Sequence, residues 1–227
     1  MEPLMKFKSF TLILTLCLAI FGCSTNNQYD HAAKFHDDGR AKPVVALIPV
    51  FDRSAANLGW DLSEEFTDQL RSKLQKKSNF YLSTPDEVNQ VVANLNSEDT
   101  PFSTNIDWIK EAFSRHEYVI FTELVEHDIH TKSLKGNFMD KITPSSELSL
   151  TMRVRVFDLR GKQPEVILQE FVYQDHLIPR PSNLQEPNPE KWRKMTFMVS
   201  PLGIAHNQFS KEVINRIEDY ILLSKSQ

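Results

Sequence analysis

Apolar residues recur along this chain at spacings that change from one segment to the next, and the spacings predict its elements. Pro43 to Phe51 (PVVALIPVF) is a nearly continuous apolar run between turn residues, the pattern of a short buried strand. After a loop over 52–59, Leu62, Phe66, Leu70 and Leu74 fall four apart, which predicts an amphipathic helix over 60–75. Asp61 or Ser63 is placed to cap it, and Lys73, Lys76 and Lys77 suit its C-terminal end. Phe80 to Ser83 predicts a second short strand. Thr84-Pro85-Asp86-Glu87 then forms a capping box with Pro in the first helical position, and Val88, Val91, Val92 and Leu95 give that helix its apolar face. Ile106, Ile109, Lys110 and Phe113 suggest a third, short helix after a polar loop.

The second half changes period. Tyr118 to His130 (YVIFTELVEHDIH) begins apolar and becomes alternating, as a strand does when it leaves a buried centre. Residues 131–146 read as a polar loop. Glu147 to Asp158 alternates strictly, with Leu148, Leu150, Met152, Val154 and Val156 on one face. A turn at Arg160-Gly161-Lys162 and the run Val166 to Tyr173 complete a hairpin. Residues 175–200, with Pro179, Pro181, Pro187 and Pro189, read as a long irregular loop. Pro201 to Leu223 is a last amphipathic helix, with Phe209, Val213, Ile217 and either Tyr220 or Ile221 inward. The order β-α-β-α-α-β-β-β-α implies an α/β (α+β) fold, a single mixed sheet packed with about four helices.

The N-terminus follows a different rule. Lys6 and Lys8 precede an apolar stretch of 13 residues, Phe10 to Gly22, whereas a membrane-spanning helix needs about 20. This is the form of a signal peptide over 1–22. It ends Ile20-Phe21-Gly22-Cys23, which resembles the lipobox of bacterial lipoproteins: an aliphatic residue, a small residue before the cysteine, then the cysteine. Phe21 departs from the usual small or β-branched residue. The resemblance implies that Cys23 is acylated and holds the chain to membrane lipid, since two or more acyl chains anchor stably where one does not. Ser24, by the same resemblance, implies the outer membrane of a diderm bacterium with the folded part in the periplasm. Residues 24–42 lack apolar periodicity and read as a tether of 19 residues, roughly 65 Å when stretched. The folded domain is then 43–227.

The strand, loop and helix from Val44 to Val88, with Trp60-Asp61 before the helix and Lys77-Ser78-Asn79-Phe80 after it, resemble a known architecture. The domain is similar to the periplasmic domain of curli-secretion (CsgG-type) lipoproteins and of the lipoprotein activators of penicillin-binding proteins (LpoB type). Glu117 to Phe121 and Leu150 to Asp158 fit the same pattern. This implies a cell-envelope lipoprotein that binds protein partners. Two departures limit the likeness. The loops at 131–146 and 175–200 are too short, polar or Pro-rich to supply membrane-crossing hairpins. The tether is also short for a partner deep in the peptidoglycan.

Composition excludes more than it assigns. The 227 residues carry 26 Lys plus Arg against 30 Asp plus Glu, a net charge of −4, which argues against a nucleic-acid partner. The six glycines are too scattered for a phosphate-binding loop. No G-x-S-x-G, H-E-x-x-H or C-x-x-C occurs, so neither enzyme activity nor a cofactor is implied. His127 and His130, three apart on a strand, point to opposite faces and make a poor metal pair, so no metal site is expected. The pairs Glu64-Glu65 and Asp37-Asp38 read as solvated. Within 175–200, Trp192, Met195, Phe197 and Met198 would form an apolar partner-binding patch rimmed by Arg180, Lys191, Arg193 and Lys194. The competing reading packs those aromatics back onto the domain itself. Two functions follow: a membrane-anchored, non-catalytic binding or scaffolding module, using that loop or a sheet edge, or a periplasmic enzyme or ligand carrier with an unrecognised pocket. For the anchor, Cys23→Ala is expected to abolish labelling by a radioactive fatty acid; persistent label would refute acylation at this residue.

Overall fold

The computed structural model describes residues 34–95, 100–131, 145–179 and 188–226. Cys23, Arg180, the signal segment and most of the 131–146 loop lie outside the described residues. The chain divides between Lys42 and Pro43. Before that point the described stretch is a turn rather than featureless tether. Phe35 bridges Ala41, Gly39 takes φ +83°, and Arg40 pairs with Asp38.

From Pro43 onward the strands are β1 (Val44–Leu47), β2 (Phe51–Asp52), β3 (Tyr81–Leu82), β4 (Tyr118–Thr131), β5 (Ser145–Asp158) and β6 (Glu165–Pro179). The helices are α1 (Leu62–Gln75), α2 (Pro85–Val92), α3 (Asp107–Ala112), α4 (Met195–Met198) and α5 (Pro201–Lys225). All six strands share one mixed sheet in the order β3-β1-β4-β5-β6, with β2 also pairing β4. The β1, β2 and β3 pairings are parallel; β4, β5 and β6 form an antiparallel meander. The expected fold class holds; the sequence reading missed the short elements β2 and α4 and a 3-10 turn at Lys191–Arg193. Strand β6 runs to Pro179, where the start of an irregular loop was expected.

Helices cover both faces of the sheet, which explains the continuous apolar run of β1. Val45 and Leu47 enter one core with α1 and α5, while Ala46 and Ile48 enter the other with α2 and α3. The start of β4 divides likewise, with Tyr118 and Ile120 on the α1/α5 side and Val119 and Phe121 on the other. Asp61 is the cap of α1, accepting from the Glu64 N–H, while Ser63 donates to the Val50 carbonyl. The Thr84–Glu87 capping box is formed in both directions. In α5, Phe209, Val213, Ile217 and Ile221 are buried, and Tyr220 faces out. Among the described residues no helix is long and apolar enough to cross a membrane.

One irregularity decides which side chains reach the main core. Leu124 pairs Met152, yet Glu126 pairs Thr151, so Val125 is an extra residue on β4. This bulge inverts the alternation. Even-numbered residues up to Leu124 face α1 and α5; beyond it His127 and Ile129 do. A strand shortened by one residue here would keep those faces, and one shortened by two would exchange them. Deleting Val125 alone is therefore expected to leave a cooperatively folding protein about 1–2 kcal/mol less stable. Deleting Val125 and Glu126 together turns Ile129 outward and Asp128 inward, and is expected to abolish the cooperative urea transition followed by circular dichroism. Equal behaviour of the two variants would contradict this account.

Candidate functional site

Helix α1 places Leu62, Phe66, Leu70 and Leu74 on its buried face, and Glu65 falls on the same face beside Phe66. Glu65 is thus fully buried, not solvated as its pairing with Glu64 suggested. Three donors meet its carboxylate. The Trp60 indole N–H donates to Oε2 at 2.7 Å, and Gln69 Nε2 donates to Oε1 at 2.9 Å. His206 Nδ1, from α5, lies 2.7 Å from Oε1. The far side of that ring continues the chain, with His206 Nε2 2.9 Å from Nε2 of His127 on β4. Ser210, one turn after His206, closes the group at 3.0 Å from Gln69 Oε1.

A loop, two helices and the central strand are therefore tied by one buried polar chain. A buried carboxylate is tolerated when donors meet both its oxygens, and here they do. With the Nδ1 proton of His206 directed at Glu65, the contact between the two Nε2 atoms holds one proton. A second would oppose two N–H groups at 2.9 Å. Burial, and next the neighbouring His206, push the His127 imidazole down to about 4. The arrangement clasps α1, α5 and β4 together, and of its groups Gln69 also lines the cleft described below.

The segment 188–200 covers this chain. A short 3-10 turn (Lys191–Arg193) and α4 bring Trp192 and Phe197 inward, 5% and 6% exposed. Phe197 packs edge-on against Trp60 at 5.3 Å and against His206 at 5.9 Å. The expected surface patch is corrected accordingly. Trp192 and Phe197 belong to the core, with Phe197 packed on the polar chain, while Met195 and Met198 remain exposed. Arg193 lies over the Trp192 ring and pairs with Glu64 at 2.5 Å. The structure thus joins Trp192, Phe197, Met198 and Arg193 at one place, and Arg180 lies outside the described residues.

Between α1, this segment and the first turns of α5 runs a cleft of about 360 Å³. Gln69, Lys73 and Lys76 line it from α1, Trp192, Phe197 and Met198 from the segment, and Gly203 and Asn207 from α5. Lys73 donates to Asn207 across it. Gly203 is required: a Cβ there would sit 2.1 Å from the Phe197 carbonyl oxygen. Elsewhere, Glu126, Asp128 and His130 bring ligand atoms within 4.8 Å of one another on the outward face of β4. Asp128 and His130 are exposed, and Glu126 accepts from Thr151. His127 is buried because of the Val125 bulge. A sequence signal existed: the adjacent apolar pair Leu124-Val125 followed by inverted alternation.

The molecule so described is an α+β protein with helices on both faces of a mixed sheet and a small cleft at the junction of two of them. The profile of a family of unknown function (DUF7499) matches residues 31–225, and the chain belongs to that family. No curated protein sequence matches it significantly. Among solved structures it is similar to the hypothetical protein CT253 from Chlamydia trachomatis. That chain is 26% identical with a TM-score of 0.60, and the match covers 80% of this chain and 98% of that one. Looser likenesses include lipoprotein GNA1162 from Neisseria meningitidis, 10% identical, TM-score 0.42, covering 78% and 99%. The LpoB C-terminal domain from Salmonella enterica is 17% identical, TM-score 0.35, covering 61% and 86%. At TM-scores this low the last two carry no functional argument.

The buried His127 makes stability depend on pH. Its folded-state value lies below the ordinary 6.5, so its stabilisation is fully present above about 6.5 and is lost as pH falls towards about 4. The full loss is of order 3 kcal/mol. His116 and His176, both lowered chiefly by burial, act in the same direction. Urea unfolding between pH 7 and 4 is expected to show this decline, and His127→Gln is expected to flatten it. An unchanged slope in the variant would disprove the assignment to His127.

Proposed function

We propose that this chain is a lipid-anchored, non-catalytic binding or scaffolding module of the bacterial cell envelope, held by acylated Cys23 and facing the periplasm from the outer membrane. The Ile20–Cys23 motif after a short apolar leader supports the anchor. The observation that carries the binding role is the edge of the sheet. Strand β6 has 15 residues and ends the sheet, so among the described residues no strand pairs with its outer edge. Such an edge presents unpaired backbone donors and acceptors to any extended segment. Its outward row is also apolar: Phe171, Tyr173 and Leu177 are 57%, 75% and 65% exposed. Proteins usually blunt an edge of this length with charge or Pro. Here Gln169 and Asp175 stand between aromatic and aliphatic residues, which suits a protein partner.

A photo-crosslinking amino acid placed at Tyr173 or Leu177 in the native host is expected to give one discrete protein adduct. The same probe at Gln90, exposed on α2, is expected to give none. Tyr173→Lys should remove the adduct formed from position 177. Absence of an adduct at both β6 positions, or an identical adduct at Gln90, would sink this reading.

A further inference from the structure

The cleft between α1 and α5 has a chemistry of its own, separate from the β6 edge. Its floor is apolar, made by Trp192, Phe197 and Met198, and its volume of about 360 Å³ falls within the range of small-ligand sites. Its α1 wall carries Lys73 and Lys76, and Lys211 of α5 lies close enough to act on Lys73 electrostatically. Among the described residues none of the three lysines forms an ion pair with a carboxylate. This contrasts with Lys77 nearby, which pairs with Glu218 at 2.5 Å. Like charges held together without a counter-charge raise the free energy of the site, and a bound anion relieves it. The Lys73 ammonium is held below the usual lysine range by burial and by Lys76 and Lys211, in the same sense.

Trp192 is buried in the cleft wall, where its ring offers apolar surface to an occupant. Asp68 also lines the cleft, five and eight residues before the two lysines on α1, hence roughly 7 and 12 Å from them along the helix axis. The cleft is polarised, and an anionic head is directed to its lysine end.

We infer that the cleft binds a small amphiphilic carboxylate, its charged head at Lys73 and Lys76 and its apolar body against Trp192, Phe197 and Met198. Neither the lipid anchor nor a partner at β6 is needed for this. Octanoate is a suitable probe, octanamide its neutral counterpart, and acetate the head without the body.

The test uses the full chain carrying Cys23→Ala, with ¹⁵N-labelled tryptophan. The three tryptophans give three indole resonances, assigned by Trp→Phe substitution. Octanoate, below its aggregation concentration, is expected to shift the Trp192 resonance saturably with a Kd near or below about 1 mM. Octanamide should bind at least about 10-fold more weakly, and acetate should not saturate. Lys73→Gln with Lys76→Gln is expected to weaken octanoate about 10-fold or more, and Asp68→Asn to leave it equal or tighter. All these positions are exposed or half-buried, and an unchanged circular dichroism spectrum checks that each variant folds. Should the double lysine variant not fold, Lys76→Gln alone, fully on the surface, is expected to give a smaller weakening in the same direction. No saturable shift of Trp192, or equal affinity for octanoate and octanamide, would overturn the inference.

Discussion

The buried carboxylate of Glu65 is the constraint on which the arrangement of this protein turns. A carboxyl group placed among leucines and phenylalanines is destabilising by several kcal/mol unless hydrogen-bond donors meet its oxygens. Meeting that condition needs Trp60 from the loop before α1, Gln69 from the next turn of α1, and His206 from α5. His206 in turn requires His127, and His127 reaches it only because Val125 interrupts the pairing of β4 with β5. These groups come from the loop before α1, from α1, from α5 and from β4. The relative placement of α1, α5 and the sheet is thus specified by directional bonds as well as by apolar contact, which alone tolerates sliding.

The architecture was legible where a single period ran through an element. The four-residue spacing of Leu62 to Leu74 and the strict alternation of Leu148 to Val156 each correspond to one buried face. The capping box at Thr84 was legible for a local reason, since its bonds close within four residues. The candidate site was legible only in part. Trp192, Phe197 and Met198 stood out as an apolar cluster, yet whether such a cluster faces water or the core depends on what lies beneath it. Nothing local to 192–198 announces the Glu65–His206 contact, which joins residues 141 apart in sequence. Glu65 looked solvated because its neighbour Glu64 is; the helical rotation separates the two, sending one to the core and the other to Arg193.

The two faces of the sheet have different characters. The α2/α3 side is closed by aromatic packing, with Phe121 edge-on to Phe113 and Phe157, and the polar chain is confined to the α1/α5 side. Further along β5, Arg155 donates to the carbonyls of Pro101 and Ser103, and Arg153 stacks on Phe102, so the 100–105 loop is held over the outward row by cations. Beyond this cover the outward row of β6 is left open. Rigid packing at the centre and an uncovered strip at the margin are the division expected of a module that must keep its shape while offering an edge.

Gly203 has a consequence for how the cleft responds to an occupant. With no side chain at this position, the backbone of α4 lies directly on the first turn of α5, closer than any Cβ would permit. Phe197 and Met198, at the floor of the cleft, are therefore seated directly on the first turn of α5 and not on a flap hinged upon it. An occupant meets a wall already assembled, so little conformational entropy is lost on association. Encounter is then governed by diffusion and charge, and differences among occupants appear in how long each one stays.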